Sequence, residues 1–423
     1  MEKYRPRIAD IVLKDRLEGK GAILVEGAKW CGKTTTSLHQ SASVLYMQDP
    51  DTREQNMRLA EVKPSALLEG KVPRLIDEWQ TAPQLWDAVR FEVDKRDAFG
   101  QFILTGSVTP GDTSKILHSG TGRIGRIRMR PMSLFESGES NGSVRLSSLF
   151  AGERDVDGVC DISLDETAFL ICRGGWPKAL GCSRRVALQQ AADYYDAVVY
   201  ADISGADGVQ KDPERVKRFM RSYARAVATQ TKVPTLIEDI SANEGIPISE
   251  VTVHSYIDAL KKIFVIEDAP AWNPNLRSKT AIRTSDTRYY TDPSIGAAAL
   301  GLSPDDLIGN LRTMGLFFEN LCVRDLRVYA DAMGGTVYHY RDKNGLECDA
   351  VIHLRDGSYG LAEIKLGGES AIREGISTLN ALESLIDTSK MKAPAFKMVV
   401  TGTGRYAYRD DGVFIVPAGC LRD

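Results

Sequence analysis

The 423-residue chain has seven cysteines but no CxxC pair. Scattered and odd in number, they offer neither a disulfide framework nor a zinc site, and they point to a reducing cytoplasm. No two of the five histidines stand four apart, which removes the helical histidine pair of zinc hydrolases. No apolar run approaches the ~20 residues of a membrane span. The opening MEKYRPRIAD is charged where a signal peptide needs an apolar core. Positive charge is not in excess either: the net charge is −3, so a nucleic-acid contact has to come from a local patch. With 43% apolar and 26% charged residues, the composition is that of a soluble globular protein. The length suggests roughly two to four domains.

What the chain does have begins at GAKWCGKTTT, residues 27–36. Ala22-Ile23-Leu24-Val25-Glu26 before it reads as a buried strand, and Thr34-Thr35-Thr36-Ser37-Leu38 can open a helix. Strand, glycine-rich loop and helix are the context that G-x-x-x-x-G-K-[ST] requires. Gly27 and Gly32 permit backbone angles closed to other residues. The N–H groups of Gly27, Ala28, Lys29, Trp30, Cys31, Gly32, Lys33, Thr34 and Thr35 would then cradle phosphate at a helix N-terminus. Lys33 would reach the β- and γ-phosphates, Thr34 would hold Mg²⁺, and Trp30 and Cys31 would shape the loop.

A second strand should supply an acid for the metal. Val72-Pro73-Arg74-Leu75-Ile76-Asp77-Glu78 fits, about 45 residues after the loop. Asp77 would hold Mg²⁺ through water, and Glu78 would orient the attacking water. Phe102-Ile103-Leu104-Thr105-Gly106-Ser107 is another buried strand. Thr105 or Ser107 would sense the γ-phosphate, or cap the turn that follows. In Gly122-Arg123-Ile124-Gly125-Arg126-Ile127-Arg128-Met129-Arg130, alternation puts Arg126, Arg128 and Arg130 on one face. Arg123 and Arg126 are candidates for an arginine finger acting on a neighbouring subunit of a homo-oligomer, against the alternative of a solvated basic face.

Residues 137–165, rich in Gly, Ser and acid, read as an irregular connection. Arg173-Gly174-Gly175-Trp176-Pro177 is a turn, and helical patterns cover 186–203 and 213–229. A short helix over 235–241, a turn capped by Ser249, a helix over 251–263 and a strand at 264–266 outline a winged helix. Thr252, His254 and Ser255 would lie exposed on its second helix, facing either DNA or a protein partner. Only Lys261 and Lys262 make that helix basic.

The last chemical constellation lies at 319–365. Helix 314–328 carries Glu319, and strands 346–354 and 358–366 flank a turn. A three-residue loop, Arg355-Asp356-Gly357, pairs Leu354 with Ser358 and hence Asp349 with Glu363. Hydrophobic consistency selects this register over a two-residue turn. It gathers Asp349, Glu363 and Lys365, with Glu319 upstream, as candidate Mg²⁺ ligands with a charge-stabilising lysine. D…E-x-K is the arrangement of the restriction-endonuclease-like, PD-(D/E)xK fold.

GAKWCGKTTT, RLIDEWQ, FILTGS, GGWPKAL, FFENLCVRDL, YHYRDKNGLECDAVI and AEIKLG stand in this order over nearly the whole chain. In this the sequence resembles a prokaryotic family that joins an N-terminal ATPase domain of the AAA superfamily to a C-terminal domain of unknown function. The resemblance implies ATP binding at Gly32, Lys33 and Thr34, an acidic strand at Asp77-Glu78, and a nuclease-like site at Asp349, Glu363 and Lys365. Lys29-Trp30-Cys31 departs from the more usual arginine- and valine-containing loop. Fold class is thus α/β. A P-loop, AAA-type parallel-sheet domain is expected over 1–136 and a connecting helical region over 137–212. A winged-helix-like domain over 213–295 and a PD-(D/E)xK-like domain over 296–423 follow. Three functions compete: a Mg-dependent ATPase binding ATP and ADP and controlling the C-terminal region, an ATP-regulated DNA nuclease, and a non-enzymatic switch for a protein partner.

Overall fold

A computed structural model describes residues 4–108, 116, 118–206, 208–245, 247–276, 282 and 284–423. The chain divides into two compact units, one from residues 1–131, 201–210 and 259–264, the other from 132–200, 211–258 and 265–423.

The first unit is a parallel sheet of five strands: β1 (Ala22–Glu26), β2 (Ser43–Tyr46), β3 (Arg74–Asp77), β4 (Phe102–Gly106) and β5 (Ile124–Arg128), in the order β2-β3-β4-β1-β5. Helices α1 (Ile8–Leu17), α2 (Lys33–Gln40), α3 (Arg53–Val62) and α4 (Leu85–Arg96) surround it. A parallel sheet covered on both faces needs strands apolar throughout rather than alternating. That is why AILVE and FILTG read as continuous runs. Leu24, Leu104 and Ile76 pack with Trp79, Trp86 and Phe102, whereas Ile23, Ile103 and Leu75 pack with Leu13 and Leu17 of α1. β4 lies between β1 and β3, so Thr105 stands between the phosphate-loop strand and the acidic strand. On β5 Arg126 and Arg128 are exposed and Arg130 follows half-buried.

The expected helices occur at Arg184–Ala197, Pro213–Arg225, Val233–Glu244, Glu250–Lys262 and Leu311–Ala332, all in the second unit except residues 259–262 at the end of Glu250–Lys262, which belong to the first. Ser249 caps its helix through the Thr252 N–H (3.2 Å), and Val253, Tyr256, Ile257 and Leu260 are buried as their spacing requires. His254 is exposed, while Thr252 and Ser255 are half-buried. The strand expected at 264–266 is not formed as such. Phe264 takes a left-handed φ of 59°, and pairing starts at Ile266, through single antiparallel bridges Ile266–Tyr290 and Ala269–Thr287. Residues 137–165 are also more ordered than their composition suggests. Val144–Arg145 pairs with Leu421–Arg422, and Gly158–Val159 pairs with Tyr406–Ala407. Their partners come from the chain's far end, which local composition does not reveal.

The second unit's sheet has seven strands, in the order Gly158–Val159, Tyr406–Asp410, Val413–Pro417, Phe396–Thr401, Tyr359–Lys365, Glu347–His353, Thr336–Arg341. The hairpin has the three-residue loop: His353 pairs with Tyr359 and Ala350 with Ala362, and the Leu354 N–H donates to the Ser358 carbonyl at 2.8 Å. Gly357 takes φ 82°, the left-handed position such a loop needs. The acid-bearing face is not a polar surface, however. Val351 and Leu361 alternate with Asp349 and Glu363 and are buried with Leu379 and Leu382 of helix Glu369–Leu385.

A buried ion-pair knot accounts for two motifs. Asp292 accepts from Arg324 Nη1 (2.9 Å), the Gly175 N–H (2.9 Å) and Ser294 Oγ (2.6 Å), while Trp176 Nε1 donates to Ser294 Oγ (2.9 Å). Arg324 also pairs with Asp325 at 2.7 Å. GGWPKAL and FFENLCVRDL therefore meet in one fully hydrogen-bonded cluster, the only form in which buried charge is tolerated.

Candidate nucleotide site and C-terminal acid centre

The loop between β1 and α2 is shaped by close backbone approach. A Cβ on Gly27 would stand 2.0 Å from the Met129 carbonyl oxygen, and Gly32 has φ 102°. Trp30, at φ 64°, accepts a left-handed conformation that costs a side-chain residue about 1–2 kcal/mol. Cys31 is buried, with Sγ 3.4 Å from the same Met129 oxygen. The buried Arg7 guanidinium donates to the carbonyls of Cys31 and Arg130, at 2.8 Å each. Lys29 turns outward to Asp202 at 2.6 Å. Lys33 is buried, and its Nζ donates to the carbonyls of Gly27 (2.9 Å) and Ala28 (2.8 Å). Gly32, at the N-cap of α2, has no side chain to cap the helix, which leaves the first N–H groups free for an anion.

Beside this loop, three strands converge. Thr34 Oγ1 donates to Asp77 Oδ1 at 2.7 Å, and Thr105 Oγ1 donates to the same oxygen at 2.6 Å. The Glu78 N–H donates to Thr105 Oγ1 at 3.2 Å. Glu78 Oε2 accepts from Gln80 Nε2 (2.5 Å) and Ser107 Oγ (3.3 Å). Thr105 and Ser107 are thus each bound to an acid of the β3 end. Gln80 and Asp202 were missed from the sequence. RLIDEWQ contains Gln80, but a glutamine two positions past the acids has no distinguishing pattern. Arg123 pairs with Asp94 at 2.7 Å and Arg126 with Glu26 at 3.5 Å, and both side chains are about half exposed.

In the second unit Asp349, Glu363, Lys365 and Glu319 do gather. Lys365 Nζ lies 2.6 Å from Glu363 Oε2 and 3.8 Å from Asp349 Oδ2. Asp349 Oδ2 also accepts from the Ile364 N–H at 2.8 Å, and Glu319 from the Tyr289 hydroxyl at 2.5 Å. Burial, then the Asp349 charge, pushes the Glu363 carboxyl up to about 8. Burial first, then Asp349, holds Glu319 well above the usual carboxylate range, and burial raises Asp349. Burial works against the Lys365 ammonium, yet Asp349 and Glu363 outweigh it and keep its pKa raised. Glu363 Oε1 is buried and has no hydrogen-bond partner among the described residues. Among the described residues no three His, Cys, Asp or Glu side chains are spaced to hold a metal ion as they stand. Here the acids' countercharge is Lys365. A cleft beside them is lined by Gln230, Tyr289, Glu319, His339, Arg341 and Asp349 among others.

Residues 19–137 match the AAA domain family, so the N-terminal parallel-sheet region is similar to P-loop ATPase domains of that family. Residues 164–306 and 314–421 match two domains of unknown function, DUF8612 and DUF4143. Uncharacterized proteins of Mycobacterium tuberculosis and Mycobacterium bovis are each 22% identical over 409 residues, spanning 96% of this chain and 82% of theirs. A Walker-type ATPase of Pyrococcus abyssi has 16% identity and a TM-score of 0.41, covering 70% of this chain and 96% of its own. No described helix is long and apolar enough to cross a membrane.

Proposed function

We propose that this AAA-type chain is a Mg-dependent ATPase whose nucleotide state controls its C-terminal region. The observation that carries the reading is the meeting of Thr34 and Thr105 on one Asp77 oxygen, beside an uncapped helix N-terminus. Phosphates fit the amides of residues 27–35. Thr34 and Asp77 form the hard-oxygen pair that suits magnesium. Bound ATP and Mg²⁺ supply the phosphoanhydride and the charge that polarises it. Lys33 neutralises phosphate charge, Glu78 takes the proton of the attacking water, and Thr105 and Ser107 fix the acids. Arg123 and Arg126, near the edge of the sheet, are the candidates to complete the site of a neighbouring copy. ATP turnover by the purified chain tests the reading. Lys33→Ala should abolish it, and Glu78→Gln should bind ATP and fail to hydrolyse it. A Glu78→Gln chain as fast as wild type would remove the assigned base.

A second reading concerns the acid centre, and the orphaned Glu363 oxygen favours it. Asp349 and Glu363, with Glu319 beside them, have the hard donors for a divalent cation, which would supply a polarised water for phosphodiester hydrolysis. Lys365 would hold the developing negative charge. The test is cleavage of linear, nicked and branched DNA with Mg²⁺ or Mn²⁺. Asp349→Ala should abolish cleavage with ATP turnover intact, and no cleavage of any form by wild type rejects this reading. The helical segment 213–295 is the proposed link between nucleotide state and partner, whether DNA or protein.

A further inference from the structure

We infer that Gln80 is a positioning residue for Glu78: its amide N–H holds one carboxylate oxygen so that the other is left to take the proton of the attacking water. The inference rests on the ATPase reading and extends it to a residue that reading does not use.

Glu78 follows β3 in a left-handed conformation, φ 57° and ψ 47°, which is uncommon for a residue with a long side chain. Two bonds accompany this turn. The Glu78 N–H meets Thr105 Oγ1, and its carbonyl accepts from the Thr81 N–H at 3.1 Å. The main chain of the base is thereby fixed to the hydroxyl that also binds Asp77. On the side chain, Gln80 Nε2 and Ser107 Oγ both reach Oε2. Among the described residues no protein donor bonds Oε1.

The Gln80 amide can be oriented only one way. Turning it over would set its carbonyl against the Glu78 carboxylate, acceptor against acceptor. In the observed orientation Gln80 Oε1 is buried and has no partner among the described residues. A buried carbonyl without a partner is unfavourable, and a side chain serving only to fill space would have no reason to keep it. Gly106 of β4 makes the arrangement possible, since a Cβ there would come within 2.9 Å of that oxygen. The glycine of FILTGS and the glutamine of RLIDEWQ thus form one local design around the glutamate.

Chemically, the N–H bond spreads the negative charge on Oε2 and fixes the carboxylate plane, which leaves Oε1 as the proton acceptor. In the step, a water O–H breaks and an O–H forms on Oε1 while the water oxygen bonds to the γ-phosphorus. The bond from that phosphorus to the bridging oxygen breaks, and its electron pair leaves on ADP. The proton on Glu78 then passes to solvent. Misdirecting a base by about 1 Å can cost about 100-fold in rate.

The experiment compares wild type, Gln80→Ala and Gln80→Glu in steady-state ATP hydrolysis across pH, with binding of a fluorescent ATP analogue measured alongside. Expected for Gln80→Ala is a kcat lowered about 10- to 100-fold, with KM and analogue affinity within about twofold. Gln80→Glu sets a second carboxylate against Oε2, so the pair shares a proton and the acidic limb of the kcat–pH profile moves to higher pH. A residue that only packs would not move that limb. The inference is overturned by a Gln80→Ala variant with wild-type kcat, by an unmoved limb in Gln80→Glu, or by equal loss of binding and turnover in both. Those failures all require an active wild type, whereas a wild type without turnover rejects the ATPase reading itself and Gln80's role with it.

Discussion

Thr105 Oγ1 stands 2.6 Å from Asp77 Oδ1, one hydroxyl on β4 linking the acid at the end of β3 to the N–H of the next acid, Glu78. The two contacts use both its donor and its acceptor capacity. Thr105→Val keeps the shape and removes both bonds. It should lower the kcat for ATP about 10- to 100-fold, with Thr105→Ser restoring most of it. Equal rates for Val and threonine would show that the hydroxyl does not fix the acids.

Lys29 contributes to the loop through its main chain, because its ammonium is committed to Asp202. A half-exposed pair of this kind is worth about 0–1 kcal/mol. Lys29→Ala should therefore bind ATP within about threefold of wild type by calorimetry, in contrast to Lys33→Ala. A loss comparable to that of Lys33→Ala would assign the Lys29 side chain to phosphate.

Asp292 satisfies a buried guanidinium, a glycine N–H and a serine hydroxyl at once. Asp292→Ala leaves Arg324 with Asp325 alone and should destabilise the second unit by about 3–5 kcal/mol, read from urea unfolding. A change below about 1 kcal/mol would mean that the knot is dispensable.

Glu363 is raised from an ordinary carboxylate value to about 8 in the fold. The folded state therefore binds more protons than the unfolded one between those values, and stability is lost as pH rises through the folded pKa. In chelator, Glu363→Gln should melt with wild type at acid pH and above it at pH about 9, by an amount on the order of a few kcal/mol. Parallel melting curves at all pH values would contradict the shift.

Much of this was legible because it is local. GAKWCGKTTT and AILVE are read in a window of one strand and one turn, and the hairpin register followed from the alternation of Ala350, Ile352, Leu354 and Ala362. What was hidden depends on contacts distant in sequence. The Gly158–Val159 edge strand pairs with residues near 406, and GGWPKAL is explained by Asp292 and Arg324, more than a hundred positions on. Phe264 escaped because an apolar triplet reads as strand whatever its φ. The acid centre was visible as D…E-x-K, but its burial was not. Burial depends on segments outside the motif, and it raises three carboxyl pKa values together.

The most direct measurement is titration calorimetry of ATP into the full chain with and without Mg²⁺. Saturable heat with magnesium is predicted, weakened when the metal is removed and absent in Lys33→Ala. A folded wild-type chain that gives no heat with ATP and magnesium would contradict the account at its centre.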